Sequence, residues 1–407
     1  MNVLHINQSD IQGGASIAGY RLHQGLLALG VSSRMLVGYP QTEDDSVAAI
    51  PRRLLLENII ERLTKRLGLN YVHFINTNQI ASHPFYHTAN ILNFHNLHSG
   101  YFSYLAIAAL TSHKPAIWTL HDMWSFTGHC AYSDGCDRWK IGCGHCPYPE
   151  AYPRIYRDGT RLEWRLKHWT YQRSNLTIVT PSRWLFDQVQ QSMLNQFAVH
   201  HIPYGIDTGI YQPLDRQQCR AKFKIPENHR VLLFAAADFK DPRKGGDLLI
   251  QALQHLPNQE ITVLILGECD RSITHSISLP VIQLGYVSDD REKAIAYNAA
   301  DLVVFPTRAD NLPLVLQESL ACGTPIVSFR IGGVPDLVRP DQTGYLAEPE
   351  NAIDLKDGIV QLLENPALRD RMREYCRKIA VTEYALELQA KRYSDLYYQV
   401  LQQARRS

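Results

Sequence analysis

Apolar residues recur along this chain in two rhythms. Short runs rich in Val, Ile and Leu, closed by small or polar residues, read as strands buried on both faces. Longer stretches with an apolar residue every third or fourth position read as helices. The first half predicts strands over 3–7, 31–37, 71–75, 91–94, 116–120, 176–180 and 199–202. Helices are expected over 15–29, 54–67 and 162–171, and 40–51 is expected to be a polar loop. After HIPYGIDTGIYQP at 201–213 the rhythm starts again. Strands are expected over 231–236, 261–266, 281–284, 301–305 and 326–329, with helices over 247–253 and 289–300. Three helices follow in succession, over 353–363, 366–380 and 384–402. Strand–helix alternation of this kind builds parallel sheets covered by helices, an α/β class. The restart divides the chain into a domain over 1–202, a linker over 203–213 and a domain over 214–382. The closing segment, 383–407, is expected to return to brace the first domain.

Length agrees with two domains, since 407 residues fill two sizeable cores. The formal net charge of +1 argues against a general nucleic-acid binder. No apolar stretch is long enough to span a bilayer, and the N-terminus reads as a strand and not a signal peptide. A cytoplasmic protein is expected, with attachment to the inner membrane face left open. Arg161, Arg165, Lys167 and His168 give one helix a basic face. It reads either as a solvated surface or as a contact for an anionic membrane or a phosphate-bearing acceptor.

Several residues suggest chemistry. Gly13 and Gly14 lie between the first strand and its helix, where backbone N–H groups meet phosphate or merely form a tight turn. His95 and His121 end two strands, and each either bonds a ligand oxygen or fixes a loop. Arg243 and Lys244 stand at the start of a helix, where cations are disfavoured unless an anion answers them. The structural alternative is a salt bridge to Asp241 or Asp247. The run 305–333, FPTRADNLPLVLQESLACGTPIVSFRIGG, carries two carboxylates, Asp310 and Glu318, around the opening of a helix. The insertion 123–149 holds Cys130, Cys136, Cys143 and Cys146 in the spacing C-x5-C-x6-C-x2-C. It reads as a structural zinc clip, with two disulfides or free thiols as the alternatives. Four thiolates would close the metal's coordination shell, so the insertion is not read as the reaction centre.

Basic groups and helix N-termini neutralise a diphosphate, and carboxylates bind the hydroxyls of a ribose or sugar. The combination describes a nucleotide-sugar site. The chain also resembles the retaining glycosyltransferases of family 4, which have the GT-B fold. The motifs are IPYGID at 202–207, DPRKGG at 241–246, the loop 306–318, ESLACGTPIVS at 318–328 and GGVPDLV at 332–338. The run TLHDMWSFTGHC at 119–130 is similar to a subset that builds bacterial surface polysaccharides. The resemblance implies two Rossmann-like domains facing each other across a cleft. It implies a nucleoside-diphosphate sugar as donor, a saccharide or lipid-linked saccharide as acceptor, and no cofactor required for catalysis. Carried over by position, Glu318 holds the donor ribose and Asp310 lies by the transferred sugar. Lys244 meets the diphosphate, as do the backbones of Leu314 and Val315. Gly285, Tyr286 and Val287 flank the base, Gly13 and Gly14 lie near the donor phosphate, and His95 and His121 lie near sugar and acceptor.

Two departures stand out. Asp310 occupies a position where the family usually has glutamate, followed by Asn311-Leu312-Pro313 in place of glycine-phenylalanine-glycine. Asp238 occupies a position where many members have arginine; an acid pointing inward there would repel the diphosphate, so either Arg243 substitutes for that arginine or Asp238 points away. A sugar-nucleotide epimerase of the same fold, a synthase with a soluble acceptor, and a non-enzymatic polysaccharide-associated scaffold are the competing readings.

Overall fold

The computed structural model describes residues 1–51, 54–256, 260–269, 274 and 276–406. It divides into two compact units, one of Met1–Tyr204 with Gln389–Ser407, the other of Gly205–Leu388.

The first unit is built on a seven-stranded parallel sheet. Its strands are β1 (Asn2–Ser9), β2 (Ser32–Tyr39), β3 (Val47–Ala49), β4 (Ile91–Phe94), β5 (Ala116–Thr119), β6 (Leu176–Thr180) and β7 (Val199–His201). They lie in the order β3-β2-β1-β4-β5-β6-β7. Every residue of β4, β5 and β6 is buried, as helices on both faces require of a parallel sheet. Register places Ile6 beside Phe94 and Phe94 beside Trp118. The residues just after β4 and β5 therefore emerge together at one sheet edge. The strand order reverses between β1 and β4, and that reversal opens the crevice where open α/β sheets take ligands.

The second unit carries β8 (Arg230–Asp238), β9 (Ile261–Glu268), β10 (Val281–Gly285), β11 (Leu302–Phe305), β12 (Ile326–Phe329) and β13 (Gly344–Ala347). Their order is β10-β9-β8-β11-β12-β13, all parallel, with the reversal between β8 and β11. The loops that follow β8 and β11 are the basic loop and the paired-acid loop.

Three expectations change. The run 71–75 is not a strand. Tyr71 adopts φ 63°, which breaks an extended path, and its ring packs edge-on to Trp124 at 5.7 Å. A 3-10 turn, Ile75–Ser82, follows. The polar loop over 40–51 contains the short edge strand β3. The basic face expected on 162–171 loses Lys167, which is fully buried. Its Nζ donates to the carbonyls of Trp124 at 2.7 Å and Thr127 at 3.1 Å, and lies 3.7 Å from the Trp124 ring centroid.

The helix Leu386–Ala404 delivers Tyr393 and Tyr397 into the first unit, both completely buried. Tyr393 bonds Thr119 at 2.8 Å, and Asn93 donates to the Tyr397 hydroxyl at 2.9 Å.

Candidate functional site

In the second unit, the site begins with a glycine. Gly245 has φ +69°, and a Cβ there would sit 1.8 Å from the Pro306 carbonyl oxygen. Only glycine lets the loop after β8 lie against the loop after β11. The contact is then sewn by Arg308 N–H to the Arg243 carbonyl at 2.8 Å and by the Arg243 guanidinium to the Ala309 carbonyl at 2.9 Å. Gly332 does the same from β12: a Cβ there would lie 2.1 Å from the Asp310 carbonyl, which Gly333 N–H bonds at 3.1 Å.

These constraints bring Lys244 and Asp310 together. Lys244 Nζ lies 2.7 Å from Asp310 Oδ2, with the side chains 17% and 13% exposed. Thr307 Oγ1 donates to the same oxygen at 3.0 Å, and Arg243 Nη1 lies 3.4 Å from Oδ1. Burial alone would raise the Asp310 pKa, but the two cations hold it below the ordinary carboxylate range. Lys244 is lowered too: burial lowers its pKa, Asp310 only partly opposes this, and Arg243 adds to it. Counted with Asp241, the cluster is two cations and two carboxylates in a partly desolvated place. Arg243 also pairs with Asp241 at 3.1 Å, one of the structural partners expected for it, whereas Asp247 pairs with Arg308. Asp238 is exposed and caps its own turn by accepting Lys240 N–H at 2.8 Å.

Glu318 is on the helix Leu314–Ala321 and is 5% exposed. It accepts the Tyr297 hydroxyl at 2.9 Å. The helix has no side-chain cap, and the first amides, Leu314 and Val315, have no carbonyl one turn back to bond. Gly285 has φ +67° with no atom within 4 Å of a Cβ, and Tyr286 beside it is 63% exposed. Val287 is half-buried.

In the first unit, Gly13 has φ +88° and begins the helix Gly14–Ala28. Nothing lies within 4 Å of a Cβ at either Gly13 or Gly14, so their backbone is open to a ligand oxygen. His95 and His121 line one pocket with His98, Asp122 and Trp124. His98 Nε2 lies 2.8 Å from Asp122 Oδ2. His95 is only 2% exposed and its ring bonds His5 and His121. Burial drives the His121 pKa down to about 4 and that of His95 well below its ordinary value.

Four residues of these sites were not singled out by sequence: His5, Tyr204, Thr307 and Tyr297. Tyr204 sits inside the IPYGID motif and Thr307 inside the 306–318 loop, which were the available signals. His5 and Tyr297 act through contacts between distant segments.

The four cysteines expected to form a zinc clip, Cys130, Cys136, Cys143 and Cys146, lie close together. All four line one cavity as free thiols, but among the described residues no group of three or more His, Cys, Asp or Glu is placed to hold a metal ion. Two of the thiols have other partners. Gly128 N–H lies 3.2 Å from Cys143 Sγ, and His129 Nε2 lies 3.2 Å from Cys146 Sγ. Burial raises the Cys130 and Cys143 pKa values to about 12 and about 11. Buried Trp124, Phe126 and Trp139 tie the insertion into the main apolar core of the first unit.

Comparison with known proteins adds to this geometry. A model of Glycosyltransferase Family 4 matches residues 12–209, and one of Glycosyl transferases group 1 matches 215–379. WcaC of Escherichia coli (strain K12), described as a colanic acid biosynthesis glycosyl transferase, is 28% identical over 377 residues. The match covers 86% of this chain and 88% of WcaC. A D-inositol 3-phosphate glycosyltransferase of Nocardioides sp. is 30% identical over 191 residues, 41% of each chain. Among solved structures, sucrose-phosphate synthase of Thermosynechococcus elongatus aligns with TM-score 0.72 at 17% identity, covering 98% of this chain and 99% of that one. HepE of Anabaena, in complex with UDP and glucose, aligns with TM-score 0.70 at 16% identity, covering 98% and 100%.

Proposed function

Because this chain belongs to the glycosyltransferases of the GT-B fold, in the group 1 and family 4 superfamily, we propose that it moves a sugar from a nucleoside-diphosphate sugar to a hydroxyl acceptor with retention at the anomeric carbon. The observation that carries this reading is the Arg243–Lys244–Asp310 cluster at the strand-order reversal of the second unit. Its two adjacent cations, Arg243 and Lys244, suit a diphosphate. The amides of Leu314 and Val315 add N–H groups at a helix start, and Glu318 suits the ribose hydroxyls. Asp310 is assigned to the transferred sugar, Gly285, Tyr286 and Val287 to the base, and Gly13 and Gly14 to ligand contact in the first unit. HepE is described in complex with UDP-glucose, which favours this donor class.

In the proposed reaction the bond from the anomeric carbon to the departing phosphate oxygen breaks as the acceptor oxygen attacks the same face. The acceptor proton passes to the departing diphosphate. Lys244 and Arg243 stabilise the negative charge that develops there. No side chain is assigned as a covalent nucleophile.

The acceptor class follows from WcaC, whose description concerns colanic acid biosynthesis: a saccharide or lipid-linked saccharide of surface polysaccharide synthesis. Ile59, Leu63 and Leu67 recur at helical spacing and are 59%, 58% and 59% exposed, with Arg62 and Arg66 exposed beside them. An apolar stripe with basic neighbours suits peripheral attachment to an anionic membrane face. Among the described residues no helix is long and apolar enough to cross a membrane. Vesicles with phosphatidylglycerol should sediment the protein, and Leu63→Asp should reduce that.

A panel of nucleotide sugars, with and without saccharide acceptors, tests the main reading. Release of nucleoside diphosphate that depends on acceptor supports transfer. Interconversion of donors without release would favour an epimerase, and a folded protein that binds no nucleotide sugar would favour a scaffold.

A further inference from the structure

Four rings form one hydrogen-bonded row through the first unit. His5 Nδ1 lies 2.9 Å from His95 Nε2, His95 Nδ1 lies 3.1 Å from His121 Nε2, and His121 Nδ1 lies 2.5 Å from the Tyr204 hydroxyl. A neutral imidazole has one N–H and one lone pair, so in such a row each ring's proton decides the next. The row runs in one of two senses.

Asn93 selects the sense. Its Oδ1 lies 3.2 Å from Thr119 Oγ1, and its amide nitrogen donates to Tyr397 at 2.9 Å and faces His5 Nδ1 at 3.4 Å. An N–H facing His5 Nδ1 at 3.4 Å disfavours a hydrogen on that nitrogen, whose single lone pair takes the nearer His95 N–H at 2.9 Å, and His5 then carries its proton on Nε2. His95 Nε2 is then the donor to it, His95 Nδ1 is bare, His121 Nε2 donates, and Tyr204 donates to His121 Nδ1. The row ends at His5 Nε2, buried and without a hydrogen-bond partner. That dead end gives a proton nowhere to leave, so the row fixes a tautomer instead of conducting. Burial, which lowers the pKa of all three histidines, keeps the rings neutral.

We propose that His5 and His95 are positioning residues that hold His121 in the neutral tautomer with its proton on Nε2, leaving Nδ1 to accept from Tyr204. A consequence for catalysis rests on the transferase reading above: the Tyr204 hydroxyl proton is committed to His121, so toward other partners its oxygen can only accept.

The test is two-bond 1H–15N correlation of the imidazoles in the 15N-labelled full chain at pH 7, with His121 assigned by its disappearance in His121→Asn. Wild type should show a protonated Nε2 and a bare Nδ1. His5→Leu removes the acceptor for His95. His95 then turns its proton to Nδ1, and His121 two rings away should flip to Nδ1–H. His5→Asn, whose amide oxygen occupies the place of Nδ1, should restore Nε2–H. Turnover with donor and acceptor should fall about tenfold in His5→Leu and recover in His5→Asn, with donor KM unchanged. A wild-type His121 protonated on Nδ1 would overturn the proposal without any variant. So would Nε2–H retained in a folded His5→Leu protein, or a flipped tautomer with unchanged turnover. If wild type shows the expected tautomer yet transfers no sugar from any donor, the functional reading fails and the hydrogen-bond row stands.

Discussion

Replacing Lys244 by alanine separates the roles that the cluster combines. The variant deletes the 2.7 Å contact to Asp310 and leaves the carboxylate with Arg243 at 3.4 Å and Thr307 at 3.0 Å. Breaking a buried ion pair outright costs ~3–5 kcal/mol because one charge is stranded. Here a second cation remains, so the cost to stability should be only ~1–2 kcal/mol. At about 2–4 °C of Tm per kcal/mol for domains of this size, differential scanning fluorimetry should read a fall of roughly 2–8 °C. Turnover should suffer far more. Removing one preorganised partner of developing negative charge costs about 10²–10³-fold in kcat, or ~3–4 kcal/mol. The assay is acceptor-dependent release of nucleoside diphosphate, with donor affinity measured separately by calorimetry. A variant that folds, binds donor and turns over within about threefold of wild type would refute the diphosphate role of Lys244. A collapse of Tm without a specific loss of kcat would make the contact architectural.

Glu318→Ala should weaken nucleotide binding by about 10–100-fold, the value of a hydrogen bond to a charged group, and should orphan the Tyr297 hydroxyl; calorimetry showing unchanged affinity would reject the ribose assignment. Gly245→Ala forces a Cβ onto the Pro306 carbonyl at a left-handed backbone, so it should lower Tm and donor affinity together, whereas intact donor binding would show that the two loops need not touch. Buried Glu163 has its pKa raised by desolvation from 4.5 to about 7, so the folded state holds a proton that the unfolded state has released. Stability should therefore fall by ~1–3 kcal/mol as pH rises from about 5 to about 7, and Glu163→Gln should flatten that slope in urea titrations.

Most of the sheet framework is legible from sequence because its strands are buried on both faces. Leu176–Thr180 and Ile326–Phe329 fall where their Val- and Ile-rich runs place them. The misses have local causes. Val47–Ala49 and Gly344–Ala347 are only three and four residues long, and 71–75 has a suitable composition but a left-handed Tyr71. Lys167 reads as surface because composition does not show which backbone carbonyls will receive an ammonium. The cysteine spacing is compatible with a ligand set, but the direction of each thiol depends on the fold of the insertion. The basic pair and the acid pair were each visible alone. Their contact depends on β8 lying next to β11, a fact of strand order that spacing along the chain does not carry. The histidine row is hidden for the same reason, since its members come from β1, the loops after β4 and β5, and the segment after β7.

The helix that brings Tyr393 and Tyr397 into the first unit has a consequence for biosynthesis. That unit is discontinuous in sequence, and its last buried side chains leave the ribosome only after the whole second unit. Until they emerge, Asn93 and Thr119 lack their tyrosine partners, and Leu22, Leu26 and Ile117 lack the apolar cover of Ala390 and Leu396. The second unit, continuous from Gly205 to Leu388, is complete while the first still waits. The order of maturation during synthesis is thus the reverse of the order of translation, and release at a premature stop just before Gln389 would free a chain whose later-made unit is the finished one.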